Sequence, residues 1–423
     1  MLVFNNLKIR TFQYFLISIP FLHAFAYNKF TPLPLLFSVI SFFIIGLKNK
    51  FFLTFKKEDI FLLITFLMGV IMNVIYSSQI GIKNISHISA WGMTIFFLYF
   101  WTSSWLNRIK LSYYILGKFS THSLIIVSLG VLFDFILANS YGFYLSDLIP
   151  YSFDQMEKTE SLLGSRPRGF SAEPGFSAVV FEMFLPLSYL YLKNFKKRKY
   201  IIYFFSILCY LLLTSAASIV SILASYVLVK IIFSKRKDFI LKLSIPFFLV
   251  FLLINYYSSL NSDFQIFEAI IGIKFDRFFS GEDLRAKILI SLISIWKLNP
   301  LGLGFGAISQ SFQLGAKSID SITLYGAGAL NLYLEILVSC GIIGLLSFII
   351  FLSYKIKNII KLKNKTLKKV FLLALFSVLF HHFFISEIWF PMIWVLLALT
   401  NNFKSLINAE NERTYSKKSI ISS

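Results

Sequence analysis

At 423 residues with 57% hydrophobic and only 14% charged side chains, the chain is too apolar for a soluble globular domain of ordinary composition. Its mean hydropathy of +0.74 sets it among membrane proteins. A formal net charge of +21 would suit a nucleic-acid binder, but the basic residues sit in short breaks between apolar runs, and that placement argues for membrane topology and against nucleic acid.

Apolar runs of spanning length follow one another along the whole chain, which predicts an all-α integral membrane protein with about twelve transmembrane helices in a single polytopic domain over 1–423. They are expected near 11–27, 32–47, 60–76, 88–106, 113–137, 175–192, 200–216, 217–233, 239–257, 327–353, 369–385 and 387–402. The basic breaks "KNKFFLTFKK" from Lys48, "KNFKKRK" from Lys193, "SKRK" from Ser234 and "KIKNIIKLKNKTLKK" from Lys355 recur on alternate connections. By the positive-inside rule they put both termini in the cytoplasm, with some added attraction to anionic membrane lipid. The first run carries no small-residue cleavage site and is expected to stay as a span. Cys209 and Cys340 both fall inside spans, which supports neither a disulfide framework nor a zinc site.

With that orientation most external connections are short, and two are long: 138–174 and 258–326. The first begins acidic, with Asp147, Asp154, Glu157 and Glu160, and turns basic at Arg166 and Arg168. The second holds Lys274, Asp276, Arg277, Glu282, Asp283, Arg285 and Lys287. Within it, "LRAKILISLISIWKL" from Leu284 places Leu284, Ile288, Leu292, Ile295 and Trp296 on one helical face, as in a helix lying in the membrane interface. The following "NPLGLGFG" over 299–306 has no strand or βαβ unit around it, so its glycines read as tight turns returning the chain to the membrane and not as a dinucleotide loop.

"GSRPRGFSAEPGFSA", residues 164–178, is the stretch least like its surroundings. Pro167 pushes Arg166 towards extended backbone, where residues two apart point the same way, so Arg166 and Arg168 are expected to form a fork. Gly169 allows a turn, and Pro174 suits the first turn of the next span. That span's N-terminus then brings unpaired N–H groups and a positive dipole end close to the guanidinium groups, which favours an anion such as phosphate. The same arginines would also anchor a loop to lipid headgroups, and Glu173 would also serve as a salt-bridge partner or a favourable charge at a helix start. Asp134, Glu182, Asn331, Glu335, His381 and His382 are further polar residues at membrane depth and so candidates for function.

"RPRGFSAEPGFSA", "RAKILISLISIWKLNPLGLGFG" and "NLYLEILVSCGIIGLLSFI" from Asn331 resemble, in order and spacing, the O-antigen polymerase and O-antigen ligase superfamily of bacterial membrane glycosyltransferases. The resemblance implies a GT-C-like fold in the bacterial inner membrane, acting at the periplasmic face on undecaprenyl-diphosphate-linked oligosaccharide as donor and acceptor. The ligases carry a His-Asn pair followed by Gly-x-x-Gly. Asn331, Gly341 and Gly344 match, but the histidine position is Leu330, which favours a Wzy-type polymerase of lipopolysaccharide O antigen or capsule. Arg285 looks like the family's second-loop arginine, and Arg166 or Arg168 like its first-loop one.

On this reading Arg166, Arg168 and Arg285 hold the diphosphates and stabilise the charge that develops on the leaving group. Glu173 orients or deprotonates the acceptor hydroxyl, and Arg277, Asn331, Glu335 and His381 contact substrate. The first external connection has no acid and no external Asp-x-Asp occurs, which argues against a required divalent metal, and no cofactor is implied. A chain-length regulator and a flippase are the partners the family suggests. The alternatives are a ligase that transfers the glycan to lipid A core and, in a different class, a flippase or transporter for lipid-linked oligosaccharide. Against the last stand the lack of internal repeats and the gathering of charge in two loops.

Overall fold

The computed structural model describes residues 2–26, 31–46, 53–76, 83–109, 111–151, 160–161, 164–234, 284–306 and 330–411. Its helices in chain order are α1 (Leu2–Ser18), α2 (Leu33–Gly46), α3 (Asp59–Ile75), α4 (83–108, π-helical over Thr94–Trp101), α5 (Tyr113–Ser140), α6 (Pro174–Leu192), α7 (Lys196–Leu212) and α8 (Ala216–Phe233). After them come α9 (Leu284–Leu298), α10 (Leu332–Ile360), α11 (Lys365–His381), α12 (Pro391–Thr400) and a short α13 over 403–411. Helices overlap the expected positions except 239–257, which lies outside the described residues, as do Arg277, Asp154 and Glu157; α1 begins and ends nine residues ahead of the expected 11–27.

Capping sets several boundaries. Ser112, Asn331 and Asn364 accept N–H bonds from the first turns of α5, α10 and α11, and proline opens α6 and α12. The helices α5, α6 and α10 are long and apolar enough to cross a membrane. On α7, Tyr200, Ile201, Phe204, Ile207, Leu208 and Leu211 form one outward stripe, with Phe204 74% exposed, as suits contact with lipid. Inward, α5 packs on α6, α3 on α10, and α11 on both α6 and α8.

The expected interfacial helix is α9, and its apolar face is covered by protein. Ile288, Leu292 and Ile295 are buried against Val338 of α10, with Trp296, Leu303, Leu330 and Leu334 alongside. The glycine segment after it does more than turn. Gly341 has φ 69° and ψ −174°, which breaks α10, and the turn takes over the hydrogen bonds that the break releases. Leu303 N donates to Val338 O and Gly304 N to Ser339 O, both at 2.8 Å, while Pro300 O accepts from Ile342 N at 3.0 Å. Asn73 of α3 brackets Phe305, donating to its carbonyl (2.9 Å) and accepting from its N–H (2.7 Å). The Phe305 ring lies on Gly69, stacks on Phe66 and meets Trp91 at 4.4 Å between centroids. Phe305→Ala is expected to cost about 3–5 kcal/mol, read as earlier thermal unfolding of the detergent-solubilised protein.

The opposite, basic end is closed by a polar cluster. Lys355 has no exposed surface, and its ammonium donates to Asp59 Oδ1 (3.1 Å) and Asn401 Oδ1 (2.6 Å), with Glu58 at 3.5 Å. The Tyr99 hydroxyl donates to the same Asp59 oxygen, and Asn401 donates to Tyr99 and Ser103 at 3.0 Å each. Lys355 was expected in a basic connection after a span ending near 353. Instead α10 runs on to Ile360 and carries this lysine inward, where a carboxylate and an amide compensate its burial.

Candidate active site

The connection from α5 to α6 is fixed by two side chains of α5. Asn139 accepts from Ser165 N (2.9 Å) and donates to Ser165 O (3.2 Å), beside a short hairpin pairing Glu160–Ser161 with Gly164–Ser165. Asp134, one of the polar residues expected at membrane depth, accepts three backbone N–H groups: Leu145 (2.6 Å), Arg168 (2.5 Å) and Gly169 (3.0 Å). Tyr151 donates to Gly169 O, and burial pushes its phenol above the ordinary value. Arg166 therefore stands between two pinned points of backbone.

The two arginines go to different partners. Arg168 is 6% exposed with its guanidinium 4.5 Å from the Tyr144 ring centroid, and its carbonyl accepts from Ser177 Oγ. Arg166 reaches the turn between α7 and α8, where Nη2 donates to Leu213 O (3.1 Å) and Thr214 O (3.2 Å). These carbonyls close the C-terminus of α7, a favourable place for a cation. The next residue, Ser215, is the N-cap of α8, and a Cβ on Gly175 in the first turn of α6 would lie 3.9 Å from Ser215 Oγ. The N-termini of α6 and α8 thus meet beside Arg166, so two positive dipole ends join one guanidinium.

Glu173 is the half-buried N-cap of α6. The same Gly175 position lies 3.8 Å from His381 Nε2 at the end of α11. His381 and Glu182 have no exposed surface, and His381 Nδ1 lies 2.7 Å from Glu182 Oε1, which also accepts from Tyr210 of α7 at 3.3 Å. The fold therefore brings Arg166, Glu173 and His381 around the start of α6, with Glu182 beneath them.

The remaining candidates adjoin through α10. Asn331 caps that helix, accepting from Tyr333 N (3.0 Å) and Leu334 N (3.1 Å), and donates to Phe383 O (3.0 Å) just beyond His381. Leu332 N donates to His382 O, and Tyr333 OH to Leu379 O, so the start of α10 is stitched to the end of α11. The amide of Asn331 thus has a structural use that its place in a motif did not reveal. Glu335 is half-buried in the first turn of α10, and Arg285 lies in the first turn of α9, the helix packed on α10. Tyr210 and the Thr214–Ser215 turn were not expected in the site; within an apolar run no periodic signal distinguishes them.

Among the described residues the structure is a helical bundle, with three helices long and apolar enough to cross a membrane and a polar cluster containing Arg166 at one end. A family model described as O-antigen ligase matches residues 201–349, from α7 through the glycine turn into α10. The match supports a place in the superfamily of O-antigen ligases and polymerases, a membrane location and a lipid-linked glycan as substrate. It leaves the 164–178 stretch, α6 and α11 outside. No curated protein matches the sequence.

Proposed function

We propose that the protein is a glycosyltransferase of the bacterial inner membrane, multi-pass with both termini cytoplasmic, that polymerises undecaprenyl-diphosphate-linked repeat units into O antigen or capsule at the periplasmic face. The observation that carries this reading is Arg166, held by flanking pins and set where the N-termini of α6 and α8 meet, an arrangement suited to a diphosphate. A diphosphate is a good leaving group once its developing charge is stabilised, and fixed donors do this without a metal. Arg166 and Arg285 hold the diphosphates. Arg168, buried on Tyr144, sets the loop, Glu173 orients the acceptor hydroxyl, and Arg277 and Glu335 contact the glycan. A chain-length regulator and a flippase would be its partners.

A ligase is the second reading, favoured by the description of the family model. Against it, the position where the ligases carry histidine holds Leu330, which packs with the apolar face of α9. The test is a gel of surface polysaccharide from a strain lacking the gene. Collapse of the ladder to core plus one repeat unit, reversed by the wild-type gene, is the expected result. Loss of every glycan-bearing band with accumulation of long lipid-linked polymer would make the protein a ligase.

A further inference from the structure

We infer that His381, oriented by Glu182, is the base that takes the proton from the acceptor hydroxyl, and that the acceptor reaches it over Gly175. The inference rests on the glycosyl-transfer reading and deepens it. With Glu182 ionised, its oxygen 2.7 Å from Nδ1 makes that nitrogen the N–H donor and leaves the lone pair on Nε2. Nε2 is the nitrogen directed at Gly175. At this position the α6 backbone lies against the imidazole: a Cβ would be in ordinary contact, 3.8 Å from Nε2 and 3.9 Å from Ser215 Oγ, and a longer side chain would fill the space beside them. Tyr210 steadies the carboxylate from α7, and the other carboxylate oxygen, Oε2, has no hydrogen-bond partner among the described residues.

A buried carboxylate in this geometry stabilises the imidazolium formed during transfer. Arg166 binds the turn that adjoins Gly175, so the cation for the leaving group and the base for the attacking group both lie beside the first turn of α6. In the step itself the acceptor oxygen bonds to the anomeric carbon as its proton moves to Nε2. The bond from that carbon to the phosphate oxygen breaks, its electron pair leaves with the lipid diphosphate, and the imidazolium later returns its proton to water. His381 is the catalytic residue here, and Glu182 is a positioning residue.

The test uses the full-length protein in lipid nanodiscs and, as substrate, the lipid-linked single repeat unit extracted from a strain lacking the gene. Rates are expressed per mole of folded protein, so a poorly made variant still reports. His381→Gln is expected to lower kcat about 100-fold or more, the usual scale of general-base catalysis. Its KM should stay within about twofold, because the base acts in the transition state and not in binding. Glu182→Gln should lower kcat at least ~10-fold, with partial recovery in Glu182→Asp, a pattern that loss of packing would not produce. Gly175→Leu should raise KM by closing the approach. A wild-type kcat in His381→Gln, or a change confined to its KM, overturns the inference while leaving the polymerase reading intact. A wild-type protein that does not elongate the extracted unit overturns the reading beneath it.

Discussion

Arg166→Ala should reduce chain elongation by about 10²–10³-fold, the scale seen when one preorganised donor to a developing anion is removed. Alanine also removes the two hydrogen bonds to Leu213 O and Thr214 O, so the decisive companion is Arg166→Lys. Lysine keeps the charge and a donor to the turn but lacks the planar fork that grips a phosphate with two parallel bonds. A protein that melts like the wild type yet elongates at least ~10-fold more slowly would assign the arginine to the anion. Wild-type elongation by Arg166→Lys, with failure confined to Arg166→Ala, would make it a brace for the α7–α8 turn. The readout is the same extracted lipid-linked unit, with ladder length per minute measured against protein amount.

The second large effect is structural. Gly341→Ala is expected to cost at least ~4 kcal/mol and to prevent accumulation of folded protein. At φ 69° a side chain is strained, and a Cβ there would collide with the Leu301 carbonyl, which is backbone and has nowhere to go. Gly302→Ala attacks the same contact from the other side: φ is 97° and the added carbon would stand 2.5 Å from Gly341 N. Both variants should appear as loss of the monodisperse species on detergent size exclusion. Gly344→Ala, a match to the same family motif, should also be costly but less so, because the added carbon would stand 2.3 Å from Cys340 Cβ while the backbone there carries no positive φ. Equal tolerance of all three would contradict the account of the broken helix.

The parts of the fold that were legible in the sequence are those that local chemistry dictates. The long apolar runs gave α5, α6 and α10, and Pro174 marked the start of α6 because its ring suits the first helical turn. The stretch around Arg166 stood out because charge is costly near lipid and proline restricts the backbone on either side. What stayed hidden depends on which helices become neighbours. His381 meets Glu182 across 199 residues, and Asn73 meets Phe305 across 232; no period within either segment encodes the partner. Lys355 misled for a definite reason: it opens a run of lysines whose other members do lie at the basic end, so its burial beside Asp59 looked like one more charge in a connection. The fork of Arg166 and Arg168 follows from extended backbone, but Tyr144 and the α7–α8 turn draw the two guanidinium groups apart.

The Lys355 cluster has a consequence for biogenesis. Asp59 emerges from the ribosome 296 residues before the lysine that neutralises it, and Lys355 waits a further 46 residues for Asn401. Until α10 inserts, α3 holds an acidic side chain at the membrane edge beside Tyr99 with no buried cation, and until α12 follows, the lysine lacks its shortest bond. The N-terminal half therefore cannot finish folding during its own synthesis. The last helices to be made complete a joint whose first half was laid down at the start, so closure of the bundle is a late, chain-wide event.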